Sequence, residues 1–418
     1  MSLSKGNCII GQSGGPTVAI NASLSGILSE ILHSNNYNIA FGMINGIEGL
    51  IQSKYITLSD LFKTQESLDL LTITPSMFLG SCRYKLPHAD QDLQIYEDLF
   101  DFFKLNNIVT VFYIGGNDSM DTVLKLSDYA QKTKQNVNVI GIPKTIDNDL
   151  PITDHTPGFG SAAKYVATSL LEIAHDSYIY NVPSITLVEI MGRNAGWLTA
   201  ASALARTSYS KAPHLIYLPE APFSINKFLE DINQVRKTTK NIIVALSEGI
   251  KDEQGNYLSA KESYVDSFGH KQLCGTGKYL ENIVAKAIGC KVRSIEINVL
   301  QRAAAHCSSK TDLDESVLLG KFATKLGASN VTGQMVCYER KSNSPYQIDI
   351  ASYDISKIAN KEKQVPLEWI TKDYCNVTTE MLDYLKPLIQ GEPVISYNNG
   401  IPVYSDVSHL CQQKYYQL

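Results

Sequence analysis

Apolar residues in this chain follow two rhythms. Short unbroken runs rich in Ile, Val and Phe read as buried strands. Longer stretches with apolar residues at every third or fourth position read as amphipathic helices. Strand-like runs occur at 7–12, 39–44, 108–114, 137–142, 184–190, 214–218, 242–246 and 294–299. Helix-like stretches occupy 18–33, 93–103, 120–132, 161–174, 195–205, 227–235 and 279–288. This alternation predicts α/β units with largely parallel sheets. The units outnumber those of one doubly wound sheet, so two similar three-layer α/β domains are expected. Two segments leave the rhythm. Residues 251–273 are polar and turn-rich and read as an inserted loop or hairpin. From 357 onward, a stretch containing Lys361 and Lys363 precedes a helix expected over 379–386, which Pro387 should stop. This end reads as a C-terminal helical appendage on the core.

The 418 residues are 44% hydrophobic and 19% charged, a globular mixture with ample material for a core. Lys and Arg number 37 against 42 Asp and Glu, a formal charge of −5. That balance offers nothing to a nucleic-acid backbone, so nucleic acid is not an expected partner. Any phosphate ligand must be attracted by a local cluster. No run approaches ~20 uninterrupted apolar residues, so no membrane span is expected. The N-terminal residues enter a strand-like run with no signal-peptide apolar region. The cysteines Cys8, Cys82, Cys274, Cys290, Cys307, Cys337, Cys375 and Cys411 stand in no zinc or C-x-x-C spacing. They read as reduced core thiols, which points to the cytoplasm or an equivalent reducing space.

Ligands of parallel α/β sheets bind outside the carboxyl ends of the strands, so the residues after each strand carry the functional reading. The first strand runs into Gly11-Gln12-Ser13-Gly14-Gly15-Pro16-Thr17 and then a helix. Paired glycines at a helix N-terminus suit an anion, and the same segment also fits a plain tight turn. It is neither a Walker A loop nor a dinucleotide fingerprint. After a later strand, Leu79-Gly80-Ser81-Cys82-Arg83-Tyr84-Lys85 sets two cations on a Gly/Ser turn, a phosphate contact or a solvated loop. The run from Tyr113 to Asp121 ends a strand in Gly115-Gly116 and presents Asn117, Asp118 and Ser119 at a helix start. These are N-cap residues or oxygen donors for phosphates with Mg²⁺.

The next strand ends in Pro143-Lys144-Thr145-Ile146-Asp147-Asn148-Asp149. Two carboxylates two residues apart point to the same side of an extended segment. One can take a proton from a hydroxyl while the other orients it or helps hold metal. Lys144 supplies positive charge for a transferring phosphoryl group. Further on, Met191-Gly192-Arg193 closes a strand, Ser247-Glu248-Gly249 ends another on a carboxylate suited to sugar hydroxyls, and Arg293 and Arg302 bracket 294–301. Each of these alone also fits a surface ion pair.

Taken in order, GQSGGPT, LGSCR, GGNDS, PKTIDND, MGR, SEG and LQR resemble the phosphofructokinase family over about 11–302. The resemblance implies two α/β domains with the site in the cleft between them, and a chain that crosses between domains more than once. On that basis 1–155 and 303–356 form a phosphoryl-donor domain, 156–302 a fructose 6-phosphate domain, and 357–418 the appendage. Asp147 matches the base that takes the proton of the sugar 1-hydroxyl, with Thr145, Ile146 and Asp149 beside it placing substrate and metal. Met191, Gly192, Arg193 and Glu248 match sugar-phosphate contacts. Arg302 matches a 6-phosphate ligand, and Arg293 a second one reaching from a neighbouring subunit of a homodimer or homotetramer. Gly14 and Gly15, with Arg83 and Ser119, match the donor site. Mg²⁺ is the implied cofactor, at Asn117, Asp147 and Asp149, and Lys144 and Arg193 share with it the charge on the transferred group.

Two loops bear on the donor. The ATP-using branch reads Gly-Gly-Asp-Gly and Pro-Gly-Thr-Ile-Asp-Asn-Asp where this chain has Asn117-Asp118 and Lys144. Asp118 adds bulk and negative charge where the α-phosphate of ATP passes the backbone, and Lys144 adds a cation for inorganic diphosphate. The pattern resembles the family's pyrophosphate-dependent branch, which transfers a phosphoryl group reversibly from diphosphate to fructose 6-phosphate. The rival readings are an ATP-dependent enzyme of the same fold and a non-catalytic sugar-phosphate-binding subunit. The intact run from Thr145 to Asp149 argues against the second. Departures from the family pattern are Asn117 in place of Asp, Ser184 in place of an Arg, and Val299 in place of His or Tyr.

Overall fold

A computed structural model describes residues 6–34, 36–258 and 275–410. In chain order its principal strands are β1 (Gly6–Gln12), β2 (Tyr37–Met43), β3 (Tyr55–Thr57), β4 (Ile108–Gly115), β5 (Asn138–Pro143), β6 (Ser184–Ile190), β7 (Leu215–Tyr217), β8 (Asn241–Ser247), β9 (Lys291–Glu296), β10 (Gln334–Asn343) and β11 (Tyr346–Asp354). They build two sheets, β11-β10-β5-β4-β1-β2-β3 and β7-β8-β6-β9. The second is parallel throughout. The first has a parallel centre and an antiparallel strand at each edge. The expected α/β architecture with largely parallel sheets is present, although the two sheets differ in width. β1, β4, β5, β6 and β8 are buried on both faces almost throughout, which is why their sequences are unbroken apolar runs rather than alternating ones.

Register positions the loops. Gln12 pairs with Ile114, and Gly115 with Pro143, so β1, β4 and β5 end together. In the other sheet Ile190 pairs with Ser247, and Glu189 with Glu296. Each sheet therefore releases its chemistry-bearing segments along a single edge.

Several boundaries differ from expectation for identifiable reasons. The helix expected from 120 begins at Asn117, directly after Gly116, since Asn, Asp and Ser are suited to a first turn. The segment expected over 195–205 is a short helix, Trp197–Ala201, continued by a 3-10 turn, Ser202–Ala205. The strand expected at 294–299 lies three residues earlier, as β9. Leu79 to Lys85 follows a helix, Gln65–Ile73, rather than a strand. The appendage helix does end just ahead of Pro387, as expected. That helix ends at Leu385, and Pro387 lies at the start of a 3-10 turn, Lys386–Ile389, where its missing N–H is not needed. Lys251 to Leu258 form a turn closed by a Lys251–Tyr257 bridge, while 259–273, Cys274 and Cys411 lie outside the described residues. The six described cysteines are free, four of them buried. No described helix is long and apolar enough to cross a membrane.

The helix Lys310–Gly327 and the β10–β11 hairpin carry no clear rhythm in the sequence. The helix packs against Ile20–His33 so closely that a methyl on Gly26 would lie 2.1 Å from the Val317 carbonyl oxygen, and one on Gly320 2.2 Å from that of Ser23. The segment after β11 is shared between two cores. Ile355 and Ile358 pack under the first sheet, whereas Val365, Ile370, Met381 and Leu388 pack against the second.

A buried charge cluster ties this framework together. His155 sets Nδ1 2.8 Å from Asp154 Oδ1 and Nε2 2.8 Å from Glu315 Oε2, with its ring stacked on Tyr338. Asp154 also accepts from Arg340 Nε and Nη2. Only an imidazolium can donate from both nitrogens. Burial alone would lower the His155 pKa, but the two carboxylates outweigh it and raise the value. A raised folded-state value stabilises fully below the unfolded value of ~6.5 and ceases to do so as pH rises through the folded one. We expect His155→Gln to lower Tm by about 3–5 °C at pH 6, from the cost of breaking a buried pair in a chain of this size. The gap should narrow toward pH 9, and a gap that widens with pH would show that the ring is neutral.

Candidate active site

The strand-end loops of the two sheets line one cavity of about 630 Å³. From β1 come Gly14 and Gly15, from β4 Asn117, Asp118 and Ser119, and from β5 Lys144, Thr145, Asp147 and Asp149. The second sheet supplies Met191, Arg193 and Glu248, and Arg83 and Arg302 complete this set.

Close backbone approach explains the glycines. Gly14 has φ of +82° and lies against Lys144, whose Nζ a Cβ there would meet at 3.2 Å. The Lys144 ammonium donates to the Gly15 carbonyl oxygen at 2.6 Å, which bridges the β1 and β5 loops. Ser13 and Ser119 join their hydroxyls at 2.5 Å and bring the β4 loop alongside. A Cβ on Gly115 would fall 1.9 Å from Ser119 Oγ, so that position admits only glycine. The opposite wall is built in the same way. Ser247 Oγ donates to the Gly192 carbonyl oxygen at 2.6 Å, and the Gly192 N–H donates to Glu248 Oε1 at 3.3 Å.

The two carboxylates after β5 reach the cavity by a route the extended reading does not anticipate. Asn148 adopts φ of 55°, so Asp147 and Asp149 flank a left-handed turn instead of sharing one side of a straight strand. The Asp147 N–H donates to Thr145 Oγ1 at 3.1 Å.

Burial dominates the electrostatics. It pushes Lys144 down to about 8, opposed by Asp147 and Asp149. It raises Asp147, opposed by Lys144, Arg193 and Arg302. Asp149 is pushed up to about 7 by burial and then by the Asp147 charge. Glu248 is pushed up to about 8, again mainly by burial. Arg193 Nε is buried and finds no hydrogen-bond partner among the described residues. Arg193 nonetheless lines the cavity together with Arg83, Lys144 and Arg302, a set of cations suited to an anion.

Three expected residues lie elsewhere. Arg293 is tied on β9 to Asp176 at 2.8 Å and to Thr186 and Ser177, away from this chain's cavity. The Ile146 side chain packs in the core. Gly192 contributes through its backbone alone. Asn117 lines the cavity, but its carboxamide is engaged at both ends. Nδ2 donates to the Lys361 carbonyl oxygen at 2.7 Å, and Oδ1 accepts from the Asn360 N–H at 2.6 Å. These bonds tie the start of this helix to the 360–361 segment.

The same contacts reveal residues that the sequence reading passes over. Asn194, Asn360 and Glu362 also line the cavity, and Asn194 Nδ2 donates to both Glu362 carboxylate oxygens, at 3.2 and 3.3 Å. The stretch around 360–364 is thus a strap that touches both walls. Its only signal in the sequence is a Lys-Glu-Lys triplet, which also fits a solvated face.

Residues 7–310 match the phosphofructokinase family model. The chain belongs to the phosphofructokinase family. Among curated phosphofructokinase relatives it is similar to the pyrophosphate–fructose 6-phosphate 1-phosphotransferase of Halomonas elongata, with 37% identity over 95% of this chain and 94% of that one. It is also similar to the protein of the same name from Xanthomonas campestris, with 37% identity over 99% and 98%. Among solved structures, the pyrophosphate-dependent phosphofructokinase of Nitrosospira multiformis superposes with a TM-score of 0.87 at 34% identity, covering 96% of each chain.

The cation cluster should be visible without any turnover. Sulfate is expected to raise the Tm of the wild type, and Lys144→Met or Arg302→Met to remove roughly half or more of that rise. Full protection retained in both variants would mean that anions bind elsewhere.

Proposed function

We propose that this chain catalyses reversible phosphoryl transfer from inorganic diphosphate to the 1-hydroxyl of fructose 6-phosphate, giving fructose 1,6-bisphosphate and orthophosphate. The observation that carries the donor assignment is the Lys144 ammonium, buried and hydrogen-bonded to Gly15, with Asp118 lining the same cavity. A diphosphate needs charge compensation and no room for a nucleoside. Near-full-length similarity to relatives named for that donor supports the reading.

In this reading Asp147 accepts the proton of the 1-hydroxyl as the new O–P bond forms and the P–O–P bond breaks, and orthophosphate leaves. Lys144, Arg193 and Arg302 oppose the burial that raises Asp147, which leaves it a stronger base than a free carboxylate, and Lys144 and Arg193 face the charge on the transferred group. Thr145, Met191, the Gly192 backbone, Glu248 and Arg302 hold the sugar phosphate. Gly14, Gly15, Arg83 and Ser119 hold the diphosphate. Asp147 and Asp149 form an oxygen donor pair, and the described residues contain no cage of three or more His, Cys, Asp or Glu. Two carboxylates completed by substrate phosphates are a common setting for Mg²⁺, so the pair fits that ion. When bound, Mg²⁺ neutralises phosphate charge. Arg293 sits partly exposed on the edge strand β9. We read it as reaching the sugar phosphate of a neighbouring copy in a homodimer or homotetramer.

A coupled assay with diphosphate and ATP side by side tests the donor, and brisk turnover on ATP alone would overturn the assignment. Asp147→Ser should lower kcat by ~10²–10⁴-fold with both KM values nearly unchanged, and a mild loss would remove Asp147 as the base.

Glu248 gives a pH dependence. With its pKa raised to about 8, the side chain is a neutral acid at pH 7 and becomes an anion above pH 8, where it repels the sugar phosphate. KM for fructose 6-phosphate should rise from pH 7 to pH 9, and Glu248→Gln should flatten that rise. A wild-type KM that falls over this range would contradict the assignment.

A further inference from the structure

The residue between the two cavity carboxylates is held from outside the family-matched region. Asn148 is fully buried and adopts a left-handed conformation, φ 55°, which Asn tolerates at some cost and most other residues resist. Its direction decides where the side chains on either side of it point. Its Oδ1 accepts from Lys363 Nζ at 3.3 Å, and its Nδ2 donates to Tyr384 Oη at 2.8 Å. Both partners lie in the C-terminal segment.

Neither partner is free to turn away. Tyr384 Oη donates its proton to the Asp154 carbonyl oxygen at 2.8 Å, so its one donor and an acceptor site are both used. Lys363 Nζ also donates to the Thr153 and Asp154 carbonyl oxygens, at 3.1 and 2.8 Å, which uses all three of its N–H bonds. The ammonium lies 5.3 Å from the Trp197 ring centroid, and the Lys363 backbone N–H donates to the Asp149 carbonyl oxygen at 2.6 Å. The segment therefore grips the loop at Asn148, Asp149, Thr153 and Asp154.

We propose that Asn148 is a positioning residue for Asp147 and Asp149, and that Lys363 and Tyr384 act through it to make the C-terminal segment part of the catalytic apparatus. This inference rests on the phosphoryl-transfer reading above, though not on the identity of the donor. Small displacements of reacting groups lower rate far more than they lower affinity, so the effect should fall on kcat.

The test uses the full chain, with whichever donor the wild type turns over. It measures kcat, both KM values and Tm for Tyr384→Phe, Lys363→Met, Asn148→Ala and the double variant Asn148→Ala/Tyr384→Phe. Tyr384→Phe and Lys363→Met should each lower kcat by about 10-fold or more, with KM values within about twofold. Adding Tyr384→Phe to Asn148→Ala should lower kcat no further, because the route through Asn148 is already cut. Unchanged kcat in Tyr384→Phe, equal losses in kcat and stability, or fully additive losses in the double variant would each overturn the proposal. Should Lys363→Met fail to fold, Tyr384→Phe, which deletes one oxygen atom, still decides the matter. A wild type that turns over neither donor refutes the phosphoryl-transfer reading itself, whereas an active wild type with unaffected variants refutes only this inference.

Discussion

Burying an ammonium group costs several kcal/mol unless anions and acceptors surround it, and Lys144 is only 2% exposed. The Gly15 carbonyl oxygen accepts from it, and the charges of Asp147 and Asp149 oppose its desolvation. That one requirement couples parts far apart in sequence. The β1 loop must come within hydrogen-bonding distance, hence Gly14 with its left-handed backbone. The β5 loop must turn back on itself, hence Asn148. The same cation, in turn, opposes the burial that raises Asp147 in the desolvated cavity. Remove any member and the others are left with charges that water no longer solvates.

The fold supplies the precision that this arrangement needs. Parallel strands ending in register give each wall of the cavity a fixed origin, and the two walls are not independent. The segment from 355 to 388 packs into the cores of both sheets, and its strap contacts Asn117 on one wall and Asn194 on the other. His155, gripped by Asp154 and Glu315, fixes the base of the loop that carries the carboxylates to the helix Lys310–Gly327. Relative movement of the walls must therefore strain the strap or the charge cluster.

Much of this could be read from the chain because strands buried on both faces leave unbroken apolar runs, and chemistry in such sheets collects where the runs stop. Gly14, Asp118, Asp147, Arg193 and Glu248 all stand just past such run ends and line the cavity. What escaped was of a different physical kind. The turn at Asn148 depends on contacts with residues 215 and 236 positions away, and no local propensity encodes them. Asn360 and Glu362 follow the last parallel strand by many residues, in a polar stretch indistinguishable from a solvated face. Helix Lys310–Gly327 mixes buried acids such as Asp312 and Glu315 with its apolar residues, which blurs the period.

The chain as a whole is acidic, with a formal charge of −5, so its long-range field does not draw phosphates in. Attraction must arise inside the cavity, where Arg83, Lys144, Arg193 and Arg302 converge. There the same desolvation that raises Asp149 and Glu248 toward neutrality leaves the cations less opposed than their number suggests. The buried Arg193 Nε, with no partner among the described residues, adds an uncompensated donor behind the cavity wall. A folded chain tolerates an unsatisfied donor of that kind only where the large cores around it hold the backbone in place. The cavity is therefore organised around an anion that the protein does not itself supply.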